Sequence, residues 1–322
     1  MRVLVTGGAG YIGSVIASRL LAREHAVTVF DDLSRGHRSA VPHGAAFEQG
    51  DVRDTAAVTA AILLGRCEAV VHMAAVAEVA ESVAHQQRYF DINLHGTETV
   101  LESALAGGVT RIVFSSTAAV YGVPKATPIT EDAAVLPTSP YGESKLGGEK
   151  LLAAAGGDRL AVATLRYFNA AGADGDCGED HDPESHLIPL ALMAANDGRP
   201  LHVFGTDYPT ADGTCMRDYV HVADLADAHI AALEGLPETS VTFNLGTGTG
   251  NSVFEVLDAV YAVTEQQFVR APAARRPGDP PVLVASCERA AERLGWRPRR
   301  TLADCVADAW RWMRAHPGGY AD

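Results

Sequence analysis

Lysine is scarce in this chain. Three occur in 322 residues (Lys125, Lys145 and Lys150), so 23 of the 26 basic residues are arginine, and a lysine inside a motif stands out from its background. Positive charge is short altogether, with 26 Lys+Arg against 40 Asp+Glu for a net charge of −14. A nucleic-acid binder needs a basic face for phosphates, and an anionic membrane surface asks for the same. Neither partner is expected here. The cysteines (Cys67, Cys177, Cys215, Cys287 and Cys305) are odd in number, never at C-x-x-C spacing and without a histidine cluster beside them. A disulfide framework and a zinc site are therefore not expected, nor any other metal, and a reducing cytoplasm suits free thiols. No apolar run approaches the roughly 20 residues that span a bilayer. Arg2-Val3-Leu4-Val5 leads straight into Thr6-Gly7-Gly8 with no h-region, so no signal peptide is expected either.

Apolar residues make up 47% and charged residues 20%, an ordinary soluble composition that excludes wholesale disorder. The length suggests two domains, or one large core with an appended lobe. Short apolar runs rich in β-branched residues recur at Val3-Leu4-Val5, Val27-Thr28-Val29-Phe30, Ala69-Val70-Val71, Arg111-Ile112-Val113-Phe114 and Ala161-Val162-Ala163-Thr164-Leu165. They read as strands covered on both faces. Helix-length segments near 12–23, 54–64, 95–107 and 141–155 separate them. This rhythm predicts an α/β fold, a Rossmann-type doubly wound parallel sheet. It breaks after about residue 168. Residues 170–184 are rich in Gly, Asp and Pro, 205–213 reads as another loop, and helical pattern returns at 223–234, 252–264 and 301–315. The expected division is a dinucleotide-binding domain over 1–168 and a smaller α/β lobe over 169–322, with segments returning to the first.

The first strand ends in Thr6-Gly7-Gly8-Ala9-Gly10-Tyr11-Ile12-Gly13. Gly7 permits a tight turn, Gly10 lets the backbone approach a pyrophosphate, and Gly13 lets the helix pack on the sheet. The amides opening that helix, around Tyr11 and Ile12, then face the phosphates. Asp31 follows Gly10 by 21 residues, at the end of the second strand. A carboxylate there accepts from the ribose hydroxyls and repels a 2′-phosphate, which favours NAD over NADP. Arg35 and Arg38 nearby pull the other way. Asp51-Val52 is expected to contact the adenine.

Thr117 ends another strand, and 24 residues later Tyr141-Gly142-Glu143-Ser144-Lys145 opens a helix. Tyr141 and Lys145, at i and i+4, share a helical face. A phenol with an ordinary pKa near 10 is a poor base at neutral pH. An ammonium beside it favours the phenolate, and Thr117 can hydrogen-bond the reacting hydroxyl. The constellation describes hydride transfer between a nicotinamide and a carbon bearing a hydroxyl.

Together with Arg166-Tyr167-Phe168-Asn169, Gly205-x-Asp207-Tyr208-Pro209-Thr210, Asp212-Gly213-Thr214-x-x-Arg217-Asp218-Tyr219, Asn244-Leu245-Gly246, Arg276-x-Gly278-Asp279 and His316-Pro317-x-Gly319-Tyr320, these residues resemble the extended short-chain dehydrogenase/reductase superfamily. Within it they resemble the UDP-glucose 4-epimerases, almost end to end. The resemblance implies interconversion of UDP-glucose and UDP-galactose with bound NAD and no net redox change. Tyr141 would take the proton from the sugar's 4-hydroxyl, and the 4-keto sugar would rotate and take the hydride back on its other face. Lys145 would also bond the nicotinamide ribose, and Phe168 would pack near the nicotinamide. Asn169, Leu187, the 201–204 strand with Phe204, Arg217, Arg276 and Asp279 would hold the nucleotide and diphosphate. The two arginines make sense independently, since guanidinium forks bind phosphate oxygens in pairs. A homodimer built from helices near 85–106 and 141–155 is also implied.

Related 4,6-dehydratases carry Asp-Glu after the catalytic Thr, and UDP-glucuronate decarboxylases keep the Glu. Ala118 and Ala119 stand there, which argues against both. The remaining alternatives are another NAD-dependent epimerase or oxidoreductase of nucleotide sugars, or a non-catalytic protein that binds them. Two positions depart from close family members. Ala77 replaces a lysine, losing a contact on the nicotinamide side and loosening the hold on NAD. Leu283 occupies a pocket-gating position often held by Tyr, which widens the site towards UDP-GlcNAc. Asn93 is expected to tie loops together rather than touch substrate.

Overall fold

The computed structural model describes residues 1–235, 240–276 and 278–321. Its centre is a seven-stranded sheet of β1 (Arg2–Thr6), β2 (Ala26–Asp31), β3 (Ala46–Gln49), β4 (Ala69–His72), β5 (Arg111–Thr117), β6 (Ala161–Tyr167) and β7 (Val241–Leu245). The order across the sheet is β7-β6-β5-β4-β1-β2-β3, and every pairing is parallel. The doubly wound sheet read from the sequence is therefore present, with two strands more than the five apolar runs announced.

Alternation along each strand builds two cores. Val3 and Val5 of β1, Val71 of β4 and Ala163 of β6 face one side, packed with α1 (Tyr11–Ala22) and the largely buried α6 (Val222–Gly235). Leu4, Val70, Ile112 and Val162 face the other, beneath α2 (Thr55–Gly65), α3 (Gly96–Ala106) and α4 (Pro140–Ala155). With both faces covered, continuous apolar strands are what the physics requires. A π-helical stretch, Phe90–His95, leads into α3 and packs on α4.

After β6 the chain builds smaller sheets. Asn169–Ala171 pairs with Tyr219–His221, Leu201–Phe204 with Arg270–Ala273, and Met216–Arg217 with both Asn251–Ser252 and Val282–Leu283. Helices α5 (Leu187–Asp197), α7 (Val253–Thr264) and α8 (Leu302–Ala315) share a third core with Leu201 and Val203. Helix α5 is an addition to the sequence reading. Its run Leu-Ile-Pro-Leu-Ala-Leu is apolar all round, and its proline sits in the first turn, where the missing N–H costs nothing. Helix α6 and β7 return from this half of the chain to the main sheet. No helix among the described residues is long and apolar enough to cross a membrane.

Helix α4 is placed by its N-terminal cap and by a buried ion pair further along it. Ser139 caps it by accepting from the Gly142 amide, and Pro140 takes the first helical position. Two turns further, the buried carboxylate of Glu149 takes a fork of bonds from Arg166 of β6, Nε at 2.8 Å and Nη2 at 2.6 Å. Ser116 of β5 donates to the same carboxylate, and Arg166 also reaches the Tyr121 hydroxyl at 3.0 Å. Removing one partner of such a pair leaves a bare buried charge. Glu149→Ala is expected to lower the unfolding free energy by about 3–5 kcal/mol in urea titrations, whereas a loss under about 1 kcal/mol would show the pair to be dispensable.

Candidate active site

In open parallel sheets, ligands bind beyond the carboxyl ends of the strands where the winding reverses. Here that point lies between β1 and β4. A cavity of about 460 Å³ opens there.

One wall is the glycine turn. Gly7 has φ +66°, and a Cβ on it would lie 2.6 Å from the Ala74 nitrogen of the neighbouring strand's exit. A Cβ on Gly13 would come 2.1 Å from the Gly7 carbonyl oxygen, so α1 can lie against the turn only as glycine. Gly10 is the N-cap, with no side-chain cap and no acid in the first turn. The helix's leading amides beside Tyr11 and Ile12 are thus left to a ligand. Asp31, at the end of β2, is buried and accepts from the Ala9 and Leu33 amides at 3.0 and 2.9 Å. Burial pushes its carboxyl up, against those two hydrogen bonds. Arg35 turns instead to the Asp182 carbonyl and Glu81, and Arg38 lies over the Phe47 ring. Asp51 and Val52 also line the cavity, though the Asp51 carboxylate is bound by Arg53, whose hydrogen bonds hold it below the usual range. A bare turn, open amides and a carboxylate one strand over fit a dinucleotide.

Thr117, Tyr141 and Lys145, presented by β5 and α4, line the same cavity with Ala118 and Ala119. Tyr141 is the second residue of α4, and its ring meets Tyr89 edge-on at 6.3 Å. Lys145 is buried one turn on, its Nζ 4.7 Å above the Phe114 ring. The expected effect of the ammonium on the phenol is not what the structure gives. Burial pushes Tyr141 up to about 12, Glu78 adding to the rise and the Thr117 hydroxyl opposing it. Burial also pushes Lys145 down to about 7, against the attraction of Glu149. Both shifts favour the neutral form because the wall is dry. Asn93 does tie segments together, but its second partner is a helix: its amide bonds both the N–H and carbonyl of Val76 and reaches the Ser144 hydroxyl of α4.

Phe168, Asn169, Arg217, Asp279, Leu283 and Ala77 complete the lining. Arg217 donates to the Met216 and Pro280 carbonyls and pairs with Asp279 at 3.3 Å. Three expected residues are not brought into this wall. Leu187 opens α5 and packs into the third core, while Phe204 is exposed and carries the Arg276 guanidinium 4.3 Å above its ring. Four residues went unremarked in the sequence. Glu179, His181, Glu184 and His186 converge, with one potential ligand atom from each within 4.8 Å of all the others, and three of them line the cavity. The signal is an E-x-H-x-x-E-x-H spacing, which contains no cysteine.

Residues 3–246 match the model of the NAD dependent epimerase/dehydratase family. A UDP-glucose 4-epimerase of Streptomyces lividans is 47% identical over all of this chain and 98% of its own. A crystal structure of UDP-glucose-4-epimerase from Stenotrophomonas maltophila with bound NAD and formylated UDP-arabinopyranose is 41% identical, covering 98% of this chain and 99% of that one at a TM-score of 0.94. The UDP-Glc/GlcNAc 4-epimerase of Campylobacter jejuni is 37% identical, covering 97% and 99% at a TM-score of 0.85.

The lowered Lys145 makes stability pH-dependent. The unfolded chain holds a proton on this lysine up to about pH 10, the folded one only to about 7, so stability rises with pH between these values. The unfolding free energy of the wild type relative to Lys145→Met is expected to be flat below about pH 6 and to climb from pH 7 to 10. A difference that does not change with pH would contradict the buried, neutral amine.

Proposed function

The chain belongs to the NAD dependent epimerase/dehydratase family, and we propose that within it the protein interconverts UDP-glucose and UDP-galactose by inverting C4 of the hexose. The observation that carries this reading is the one cavity lined by Thr117, Tyr141 and Lys145 together with the glycine turn, with methyl groups at Ala118 and Ala119. An acid at those two positions would be needed to expel a hydroxyl as water. Methyl groups restrict the wall to moving one proton on and off the sugar oxygen.

NAD, when bound, supplies a positively charged hydride acceptor that is restored at the end of each turnover. Tyr141, as the phenolate, accepts the proton of the 4-hydroxyl and returns it to the opposite epimer. Its phenol starts high because its surroundings are dry, so positive charge entering the cavity acts strongly on it. Lys145 contributes a donor on the same helical face, and Thr117 a hydroxyl that holds the sugar oxygen in line. Gly7, Gly10, Tyr11, Ile12, Gly13, Asp31, Asp51, Val52 and Phe168 form the cofactor side. Asn169, Arg217, Asp279 and Leu283 form the sugar-nucleotide side, with Leu187, Phe204 and Arg276 behind it. The first domain spans 1–168 and the sugar-nucleotide lobe 169–322, less the returning α6 and β7. The same reading carries a homodimer through the helices near 85–106 and 141–155, and a cytoplasmic location that suits five unpaired, buried cysteines.

Tyr141→Phe is expected to lower kcat for UDP-galactose by about 10²–10⁴-fold, the range for a lost acid–base group, measured by conversion to UDP-glucose without added NAD. Unchanged turnover would end the phenol mechanism. Leu283, beside Val282 on a short strand, sets the width of the sugar end. UDP-GlcNAc is therefore expected to be a substrate. Leu283→Tyr should reduce kcat/KM for it about tenfold while leaving UDP-glucose within about threefold, since pocket width discriminates by one to a few kcal/mol; equal losses on both sugars would sink the argument.

A further inference from the structure

Residues 179–186, Glu-Asp-His-Asp-Pro-Glu-Ser-His, lie between Gly178 and helix α5, and the proposed reaction uses none of them. The short run nevertheless folds back so that Glu179, His181, Glu184 and His186 bring one potential ligand atom each within 4.8 Å of all the others. His181 Nδ1 lies 3.3 Å from the Glu179 carboxylate, and His186 Nδ1 lies 3.8 Å from the Glu184 carboxylate while also contacting that of Glu179. Both carboxylates are nearly sealed from water, at 6% and 5% side-chain exposure. His181 Nδ1 is buried and makes no hydrogen bond.

Taken as protein groups alone, this arrangement conflicts with itself. Two buried carboxylates side by side repel each other. Protonating both imidazoles offsets them but sets two cations edge to face, 5.5 Å apart between ring centroids. A dication removes both conflicts, taking a lone pair from each ring nitrogen and one oxygen from each carboxylate. Bonds of 2.0–2.2 Å to a tetrahedral ion place its ligand atoms about 3.4 Å apart, a spacing bracketed by the closer His186–Glu179 contact on one side and the 3.8 Å His186–Glu184 separation on the other. We propose that Glu179, His181, Glu184 and His186 form a binding site for one divalent transition-metal ion, with zinc the best match to two imidazoles and two carboxylates.

Four protein ligands leave no open position, so the site is structural rather than catalytic. Its surroundings show what it fastens. The Glu184 carboxylate also accepts from the Ser185 and His186 amides at 2.7 Å each, which shapes the turn. Ser185 donates to Glu78, Arg35 donates to the Asp182 carbonyl, and the Tyr11 ring meets His181 edge-on at 6.4 Å. The ion would therefore brace the cavity wall against the glycine turn and anchor the start of α5. Metal binding and epimerisation are separable, so the test reads metal directly.

Full-length protein purified and dialysed against metal-free buffer is expected to carry about one zinc per chain by elemental analysis. A chelator should remove it and lower the melting temperature, and added zinc should restore both. Reconstitution with cobalt(II) should give the intense visible bands of a tetrahedral centre. His181→Ala and His186→Gln should each cut the metal content below about a tenth of an equivalent. Wild-type protein with no bound zinc and no tetrahedral cobalt spectrum would overturn the proposal, and so would a His186→Gln variant that keeps its metal. If the variants do not fold, the wild-type metal content and cobalt spectrum decide alone.

Discussion

Arg166 and Glu149 meet where water does not reach, and their pairing decides where helix α4 lies. Tyr141, Lys145 and Glu149 fall at i, i+4 and i+8, one stripe along that helix. The stripe has a reacting end and an anchoring end. Arg166 grips the anchoring end from β6, and Ser116 braces it from β5, one residue before Thr117. The strand that presents Thr117 and the helix that presents Tyr141 are thereby held to one buried carboxylate. The same carboxylate is the attraction that works against the desolvation of Lys145. One charged group thus supports both the position and the protonation of its neighbours.

What the sequence made legible follows the range over which each signal is written. Strands buried on both faces announce themselves as apolar runs, because a polar side chain persists there only when a buried partner meets it, as Glu149 meets Ser116 and Arg166. The edge strand β3, Ala-Phe-Glu-Gln, is partly exposed and carries no such mark. Strand β7 joins the sheet through a chain return that local pattern does not encode. The Tyr141–Lys145 pair was legible because a helix turns spacing into proximity. The direction of the Tyr141 shift was not, since it depends on how much of the surrounding fold excludes water. Phe204 and Arg276 were assigned by motif to the site, yet they stack on each other outside the wall, a pairing that only three dimensions reveal.

The net charge of −14 raises the question of how a doubly charged pyrophosphate is tolerated at all. The answer is local. Backbone amides at the head of α1 carry no competing acid, and Arg217 stands on the far wall, already oriented by two carbonyls and Asp279. In the acidic stretch 179–184 on the cavity's border, the carboxylates of Glu179 and Glu184 are turned onto histidine nitrogens. Mean field and site field are arranged independently.

The return of α6 and β7 to the main sheet bears on how such a protein can diversify. The lobe that carries Arg217 and Leu283 is not one uninterrupted stretch of chain, since Val222–Gly235 and Val241–Leu245 belong to the covering helix and the sheet. Recombination with a relative at a single crossover near residue 168 would exchange the last strand of the sheet together with the lobe, and that strand would have to fit a foreign β6. A lineage with this topology therefore finds new sugars most readily through isolated side-chain changes in the cavity wall, rather than by importing a lobe as a module.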